Sequence, residues 1–522
     1  MTPTRIRLRA ALTAALVAIA AHVSTAQAQS TEPYPGLDAY IANAVKLWKV
    51  PGLSVAIVRN DSVIYTKGFG VRRAGGSTPV DDHTLFEIGS SSKAFTATLV
   101  AMMVSDGKMR WDDRLSTYLP DFRLYDPVAS DAVTLRDALT HRSGIARGEL
   151  AWLGSGIGRD EVLHRVRFLK PESPFRSKFS YQNMMFLAAG QAAAKVAGTS
   201  WEDLLRQRIF TPLGMTSSAP SSKGLASSDI ATPHATDHDT AFVAGAFDAE
   251  NIAPAGSILS NAVDMAQWLR FQLNDGVVNG KRLVSSAALR ETHSPQILVN
   301  AGGARAPGAD STATRFSTYG MGWFVEDYHG ALAWQHGGNT PGMTAAVGML
   351  PDQRVGVAVL SNMQGSPLPD VLRRYIFDRA LGLPVKDLSA ESYARTAVQR
   401  KRADSVAKAQ AAARPSDAQA PLPLPAFVGT YSDSLYGDAV VSVKDGHLEM
   451  KHGDWTAPLQ YWNANNFRWM LPPGTVAGQM FIKFEINPDN TVAGLYFGLG
   501  GDAMLLTKRV NRAARGATAG DR

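Results

Sequence analysis

Cysteine is absent from this chain of 522 residues, which excludes a disulfide bond, a thiol nucleophile and a lipidated cysteine. Charged residues are also sparse, at 19% of the chain. After the N-terminal region, the sequence has no apolar run of the about 20 residues that span a bilayer. Hydrophobic residues make up 45% of the chain, with glycine and proline spread along it. This is the composition of a globular protein, and its length suits two or three domains.

The N-terminus has the pattern of a secretory signal peptide, which we assign to residues 1–28. Arg5, Arg7 and Arg9 form a cationic start, an apolar run extends from Ala10 to Ala21, and Ala26-Gln27-Ala28 is a small-x-small cleavage site. The run is short for a membrane span, and an uncleaved anchor is the alternative. We expect a periplasmic or secreted protein with no membrane span after cleavage, whose core rather than disulfides provides stability.

The formal charge of +7 does not indicate a nucleic-acid partner. The signal peptide contains three of the arginines and no acidic residue, so +7 minus three leaves +4 for the mature chain. Much of the rest lies in residues 395–414 and in the end of the chain, where we predict that residues 511–522 form a flexible basic tail. Nucleic-acid binding would need a basic face with interleaved aromatic residues on a folded element. These segments are more typical of solvated ends.

Residues 31–385 are predicted to form one mixed α/β domain, with strands at its two ends and helices between them. This arrangement indicates one sheet built from both ends of the domain and packed against a helical region. The predicted strands are Gly52 to Arg59, Ser62 to Gly68, Thr344 to Leu350 and Val355 to Asn362. The predicted helices are Leu37 to Trp48, Lys93 to Asp106, Gln182 to Ala197 and Asn261 to Leu273.

A linker and a second, smaller domain follow. Residues 386–422 begin as an exposed helix rich in Ala, Lys, Arg and Gln and end in a stiff proline-rich spacer. Residues 423–510 are predicted to form a small antiparallel β domain, a barrel or a meander. Its predicted strands are Val440 to Lys444, His447 to Lys451, Phe467 to Leu471, Phe481 to Ile486 and Val492 to Phe497.

The first motif with chemical content is Ser90-Ser91-Ser92-Lys93. A serine hydroxyl needs an adjacent base to act as a nucleophile. If Ser90 opens the predicted helix, Lys93 lies one turn further along the same face and its amine reaches the hydroxyl. The same spacing recurs at Ser105 and Ser405, which we interpret as a turn and as part of the linker. The sequence Phe86-Glu87-Ile88-Gly89 in front of Ser90 distinguishes the first motif.

The second motif is Tyr181-Gln182-Asn183, and the third is His336-Gly337-Gly338 followed by Asn339. Tyr181 offers a phenol and Asn183 an amide, although a core tyrosine beside a helix-capping asparagine is the alternative interpretation. The third motif is a strand edge without side chains that can offer backbone N–H groups to an oxyanion. Its alternative is a glycine-rich turn with a surface histidine. The order of the three motifs within one α/β domain favours a serine hydrolase.

These motifs resemble those of the class C β-lactamase and penicillin-binding-protein-like serine hydrolase superfamily, including its D-aminopeptidase and esterase members. The resemblance covers about residues 31–385 and implies a serine β-lactamase-like fold, an antiparallel sheet with a helical region. The β domain resembles the lipocalin-like C-terminal domain of some members, with Val428-Gly429-Thr430-Tyr431 as its start. Further matching phrases are Leu139-Thr140-His141-Arg142-Ser143-Gly144 and Tyr319-Gly320-Met321-Gly322-Trp323.

The resemblance implies a role for each site residue. Ser90 is the acylated nucleophile, Lys93 and Tyr181 are general bases whose shares remain open, and Asn183 orients Lys93 and a substrate carbonyl. The oxyanion hole is formed by the backbone N–H groups of Ser90 and Asn339. His336, Gly337 and Gly338 form the substrate-binding strand edge.

The third motif departs from the family pattern, because β-lactamases and carboxypeptidases have Lys and Thr where His336 and Gly337 stand. The charge on a histidine depends on pH, so a firm grip on a substrate carboxylate is not expected. We therefore expect hydrolysis of an ester, or of a peptide with a small or D-configured residue. The alternatives are activity on β-lactams or peptidoglycan peptides, and a non-catalytic binder or sensor.

We expect no cofactor and no metal. His234 and His238, with Asp237 and Asp239 beside them, have a spacing that could bind a metal in a helix, but Pro233 and polar neighbours favour a loop. The expected partner is a small-molecule or peptide substrate, and the C-terminal domain could mediate a homo-oligomer.

Overall fold

The computed structural model describes residues 32–225, 228–237, 240–245, 247–299, 314–412, 414, 419–475, 479–498 and 504–509. The predicted signal peptide and basic tail lie outside these residues. The helices are α1 (Leu37–Trp48), α2 (Ser92–Ser105), α3 (Leu115–Tyr118), α4 (Pro127–Ala132), α5 (Leu135–Leu139), α6 (Arg159–Arg165), α7 (Asn183–Ala197), α8 (Trp201–Leu205), α9 (Thr211–Leu213), α10 (Ala253–Gly256), α11 (Ala262–Leu273), α12 (Ser286–Thr292), α13 (Leu368–Ala380), α14 (Leu388–Ala412) and α15 (Leu424–Phe427).

The strands of the first domain are β1 (Gly52–Arg59), β2 (Ser62–Gly70), β3 (Phe86–Glu87), β4 (His234–Asp237), β5 (Thr240–Val243), β6 (Leu259–Ser260), β7 (Val277–Val278), β8 (Lys281–Arg282), β9 (Ile297–Leu298), β10 (Thr314–Tyr319), β11 (Phe324–Tyr328), β12 (Ala331–Thr340), β13 (Met343–Leu350) and β14 (Val355–Ser361). Those of the second are β15 (Gly429–Asp433), β16 (Gly437–Lys444), β17 (His447–His452), β18 (Trp455–Asn463), β19 (Asn466–Met470), β20 (Gln479–Ile486), β21 (Val492–Phe497) and β22 (Met504–Lys508).

The central sheet is antiparallel and contains strands from both ends of the first domain, as predicted. Its order is β2-β1-β14-β13-β12-β11-β10-β9. β1 pairs with β14 from Leu53 opposite Ser361 to Arg59 opposite Val355. β1 is an almost continuous apolar run because both of its faces are covered. The predicted sheet with its helical region is thereby confirmed.

Two hydrophobic cores lie on the two faces of this sheet. On one face, Leu37 and Ile41 of α1 and Leu372 of α13 pack against β1 and β14. On the other face lies the helical region, where α2 runs through the centre of the larger core. The first twelve residues of α2 are all buried, so its side chains are surrounded by protein on every side. This burial decides the chemistry of Lys93.

The second domain is a closed barrel of eight antiparallel strands, β15 to β22, in which each strand pairs with the next and β22 returns to β15. The prediction of a small antiparallel β domain is confirmed. Three of its strands, β15, β18 and β22, were not among the predicted ones. β18 contains Pro458, which lacks a backbone N–H and therefore weakens the strand pattern, yet it pairs on both sides.

The linker helix agrees with its prediction, and the segment around His234 does not. α14 is mostly exposed, as predicted for the start of the linker. The predicted loop around His234 is wrong, because residues 234–237 form β4 and pair with β5. Within the described residues, no helix is both long and apolar enough to cross a membrane.

Candidate active site

Ser90 lies in a sharp turn between a short strand and the buried helix α2. β3 leads into a single 3-10 turn, Gly89–Ser91, which continues directly into α2. Gly89 has a φ of 51°, a left-handed conformation that glycine adopts most readily, and a Cβ there would lie 2.7 Å from the Asn339 nitrogen. Ser90 therefore precedes α2 by one short turn instead of opening it.

Lys93 is the centre of a polar cluster within the protein interior. Its side chain is fully buried, and its Nζ lies 3.0 Å from Ser90 Oγ. The same Nζ donates to Asn183 Oδ1 at 2.7 Å and to the Ala255 carbonyl at 2.8 Å. Burial holds the pKa of Lys93 well below its ordinary value, Glu149 raises this pKa and Arg147 lowers it further.

The partners of Lys93 are also compatible with a neutral amine, the form that its lowered pKa favours. The oxygens of Asn183 and Ala255 can only accept hydrogen bonds, and a neutral amine has two hydrogens to donate to them. The lone pair then faces Ser90, whose hydroxyl can donate. A charged ammonium would fill the third position with a proton and could accept nothing from Ser90. A neutral Lys93 can therefore accept a hydrogen bond from the Ser90 hydroxyl.

Tyr181 lies beside this pair, immediately before α7. Lys93 Nζ is 4.8 Å from the centre of its ring, and the ring packs against His141 with centroids 4.2 Å apart. Burial raises the pKa of Tyr181, and a hydrogen bond with Ser90 opposes that rise. The phenol therefore keeps its proton at neutral pH.

Asn183 at the start of α7 connects Lys93 to a carboxylate that the motifs did not reveal. Its Nδ2 donates to the two oxygens of Glu149 at 3.2 and 3.4 Å. Glu149 in turn accepts from Arg147 Nε at 2.7 Å, and the Arg147 guanidinium lies 5.1 Å from the centre of the Tyr181 ring. The amide of Asn183 is thus held at both of its ends.

The glycines of the third motif allow β12 to approach the serine turn closely. A Cβ on Gly338 would lie 1.8 Å from the Ile88 carbonyl oxygen and 3.1 Å from the Ser90 nitrogen. Ser91 Oγ also donates to the His336 carbonyl at 3.1 Å, which ties the turn to the strand. Asn339 is the next residue along and is exposed. The backbone of β12 therefore lines the same side of the cleft as Ser90.

His336 is not a surface histidine but a buried, neutral one. Its Nδ1 lies 2.6 Å from the Gly337 carbonyl, which can only accept, so Nδ1 carries the proton. Nε2 then accepts from the Tyr319 hydroxyl at 3.0 Å. Burial lowers the pKa of His336 to about 3, and the nearby Lys93 contributes in the same direction. The ring has no positive charge with which to hold a substrate carboxylate.

Sequence reasoning missed four groups of this site: Arg147, Glu149, the Ala255 carbonyl and Tyr319. Tyr319 stands inside a phrase that supports the family resemblance, so that phrase contained the only available signal. His141 Nδ1 accepts from the Gln182 N–H at 3.0 Å, and the His141 ring packs against Tyr181 of the second motif. Nothing in the local sequence marks Arg147, Glu149 or Ala255.

The other sequence candidates lie apart from this cluster. Ser105 Oγ accepts from the backbone of Ser285, and Ser405 is exposed on α14. His234 accepts from the Ala74 N–H at 3.0 Å and lies 3.0 Å from the Asn362 carbonyl, while His238 and Asp239 lie outside the described residues. Among the residues that the structure describes, no group of three possible metal ligands occurs.

Fold and site together define a serine hydrolase of the β-lactamase type, and comparison with known proteins identifies the family. The family model described as Beta-lactamase matches residues 37–381, and the chain belongs to this family. A second model, described as a domain of unknown function (DUF3471), matches residues 413–504, which include most of the barrel.

Three known proteins illustrate the similarity. The unguisins hydrolase ungD of Aspergillus violaceofuscus (strain CBS 115571) is 28% identical over 78% of this chain and 76% of its own length. Penicillin-binding protein 4 of Amycolatopsis lactamdurans is 30% identical over 60% of this chain and 81% of its own. The octameric penicillin-binding protein homologue from Pyrococcus abyssi has a TM-score of 0.60 at 22% identity, covering 91% of this chain and 98% of its own.

Proposed function

We propose that this protein is an exported serine hydrolase that cleaves ester or amide bonds through an acyl-enzyme on Ser90. The observation that carries the proposal is the Lys93 amine, 3.0 Å from Ser90 Oγ and surrounded by acceptors that suit its neutral form. An activated nucleophile requires such a base within hydrogen-bond reach. The family membership of residues 37–381 supports the same chemistry.

In the acylation step, Ser90 Oγ attacks the substrate carbonyl while its proton passes to Lys93 Nζ. The oxyanion that forms accepts hydrogen bonds from the backbone N–H groups of Ser90 and Asn339. As the intermediate collapses, the leaving group takes the proton of the Tyr181 phenol, and the Lys93 ammonium returns a proton to Tyr181. Both groups end in their starting states, and the substrate acyl group is bonded to Ser90.

In the deacylation step, water attacks the acyl-enzyme from the open side of the cleft. Its proton passes to Lys93, and Ser90 leaves as an alkoxide that takes this proton back. The carboxylic acid product is released. Asn183, held between Lys93 and Glu149, keeps the amine aligned through both steps.

The third motif supports an ester, or a peptide with a small or D-configured residue, as the substrate class. A neutral His336 that is engaged with Tyr319 offers no cation to a substrate carboxylate. The 30% identity to a penicillin-binding protein favours the second candidate, activity on β-lactams or peptidoglycan peptides. A substrate panel on the mature protein decides between them: esters, D- and L-aminoacyl anilides, and nitrocefin.

The nucleophile is tested by Ser90→Ala with Ser405→Ala as the matched control. Ser405 has the same spacing to a lysine but is exposed on α14. We expect Ser90→Ala to lower kcat/KM by about 10³-fold or more and to abolish fluorophosphonate labelling in the intact mass. Ser405→Ala should behave like the wild type. Turnover of esters by Ser90→Ala at the wild-type rate would refute the proposal, and so would a wild-type protein that accepts no label.

Export and assembly are further parts of this proposal. A protein secreted after cleavage would begin at residue 29, which the N-terminal mass of the exported material tests. The Pyrococcus abyssi homologue is octameric, which supports a homo-oligomer here. Sedimentation of the mature protein measures that state.

A further inference from the structure

A cavity of about 600 Å³ lies between the catalytic domain and the barrel, and both domains contribute to its walls. This volume is within the range of ordinary ligand sites, about 300–1,000 Å³. The catalytic domain contributes the segment that follows Glu149, and the barrel contributes the turn between β17 and β18. The cavity is a different space from the polar cluster around Ser90, so its relation to that cluster has to be established.

Three short segments connect the cavity to the candidate active site. Each has a residue of the site at one end and a residue of the cavity wall at the other. The two ends of a segment are at most four positions apart, which corresponds to at most about 14 Å even when the chain is fully extended. The pairs are Glu149 with Trp152, Ala255 with Asn251, and Asn339 with Pro341. The cavity wall therefore lies within about 14 Å of residues of the candidate site at three places.

The barrel is held firmly where it forms the outer wall. The Asp454 N–H donates to the Gly154 carbonyl at 2.8 Å. Gly154 lies against the Trp455 ring so closely that a Cβ there would be 2.4 Å from it. Asp454 and Trp455 are therefore held against the catalytic domain where they line the cavity.

The charges of the wall do not balance. Arg159 forms an ion pair with Glu202, and Lys223 pairs with Glu250 at 3.2 Å, so each cation is neutralised. Asp248 and Asp454 also line the cavity, and neither forms an ion pair with any residue in the described ranges. Two carboxylates thus face a shared space without a counter-charge.

Aromatic rings accompany these carboxylates. Trp152, Phe247 and Trp455 are part of the same wall. Ring faces attract cations by about 0.5–2 kcal/mol, most strongly on tryptophan. Carboxylates and tryptophans that line one shared space favour a positively charged occupant over a neutral or an anionic one.

We propose that this cavity is a substrate subsite that binds a cationic group, an ammonium or guanidinium several bonds away from the scissile carbonyl. The inference rests on the proposed function of Ser90, and it adds a substrate class to it. Asp248 and Asp454 hold the charge, the aromatic side chains hold its aliphatic stem, and the barrel thereby takes part in substrate selection. The cation can come from a basic side chain or from a free N-terminal amine.

Matched peptide esters test the proposal in the full-length mature protein. In the first pair, one ester has a lysyl side chain and the other has an Nε-acetyl-lysyl side chain, and both have an acetylated N-terminus. A second pair differs only in a free or an acetylated N-terminal amine, which distinguishes the two sources of the cation. Variants Asp454→Asn and Asp248→Asn remove the charges with little change in shape, and Asp445→Asn in the β16–β17 turn is the matched control.

We expect the wild type to favour the charged member of one pair by about tenfold in kcat/KM, mainly through KM. The double variant Asp248→Asn/Asp454→Asn should reduce this preference to about one, and Asp445→Asn should leave it unchanged. Higher salt should reduce the preference in the wild type, because part of the site is open to solvent. Calorimetric binding of the same peptides to Ser90→Ala should show the same order of affinity.

Equal kcat/KM for charged and neutral substrates in the wild type would overturn the proposal. So would a preference that survives in the double variant. Both results can occur while Ser90→Ala is inactive, in which case the subsite fails and the proposed hydrolase function stands. Retained turnover in Ser90→Ala would instead refute the proposed function.

Discussion

At the scale of single residues, the chemistry of this site depends on the charge of one buried amine. The pKa of Lys93 is lowered by burial, so Lys93 can be neutral and face the Ser90 hydroxyl with its lone pair. Two charged residues at the mouth adjust this pKa in opposite directions: Glu149 raises it and Arg147 lowers it. The pair therefore sets the pH at which the base becomes available.

The first prediction follows from these opposite signs. Glu149→Gln removes the negative charge, lowers the Lys93 pKa and should move the acidic limb of the kcat/KM profile to lower pH. Arg147→Gln should move the same limb to higher pH. Neither change removes a catalytic group, and the glutamine at 149 can still accept from Asn183. Steady-state rates on an ester between about pH 4 and pH 10 measure both limbs.

Shifts of the two variants in the same direction would contradict this electrostatic explanation. A loss of activity without a shift of the limb would indicate that the pair acts only through structure. Thermal melting of each variant serves as the control for folding.

At the scale of elements, the site depends on how closely β12 approaches the turn that contains Ser90. The strand can do so because Gly338 has no side chain where the Ile88 carbonyl lies. The next residue, Asn339, offers its N–H to the proposed oxyanion hole, so the position of the strand determines that donor. Gly337 lies one residue earlier, in a less crowded place. The nearest neighbour of a Cβ on Gly337 would be the Ala345 carbonyl oxygen, at 3.4 Å.

The second prediction compares these neighbouring glycines. Gly338→Ala forces β12 away from the serine turn and should lower kcat/KM by about 10²-fold, since a displacement of about 1 Å has that effect on oriented groups. Gly337→Ala should stay within about threefold of the wild type, because the added methyl meets an ordinary contact distance. Kinetics and thermal melting of both variants provide the comparison. A Gly338→Ala protein as active as Gly337→Ala would show that the close approach is not needed.

At the scale of the whole molecule, the barrel and the catalytic domain share the walls of one cavity. The contacts that hold this arrangement include Arg165, which donates to the Leu435 carbonyl of the barrel at 3.3 Å, and the packing of Gly154 against Trp455. The barrel is thus placed to limit the size and charge of what reaches Ser90, in addition to any role in assembly.

The third prediction concerns this restriction. Removal of residues 423–522 should leave turnover of a small ester within about threefold of the wild type, while kcat/KM for a long cationic peptide ester should fall by about tenfold. Gly154→Ala in the full chain places a methyl group against the Trp455 ring. It should also lower kcat/KM for the long cationic peptide ester. Sedimentation of the same proteins tests assembly. If neither the substrate range nor the assembly state changes, the barrel has neither role.

Much of the local structure follows from the sequence by itself. The α1 and β1 segments match the predicted bounds, because an apolar helical face and a continuous apolar strand are properties of neighbouring residues. Ser90 and Lys93 are also recognisable, since three residues within one helical turn come together by local geometry. β18 was missed because Pro458 is unfavourable in a predicted strand. The strand forms nevertheless, since it pairs with β17 on one side and β19 on the other.

The three motifs by themselves indicated the candidate nucleophile, the candidate base and the strand edge, because each motif is local and the three occur in one order along the chain. Only the tertiary structure decided their charge states and their further partners. Glu149 reaches Asn183 across 34 residues and Ala255 reaches Lys93 across 162, distances at which no sequence spacing predicts a contact. Burial lowers the pKa of Lys93 and makes His336 neutral, and burial is a property of the packed core, not of any short stretch of sequence.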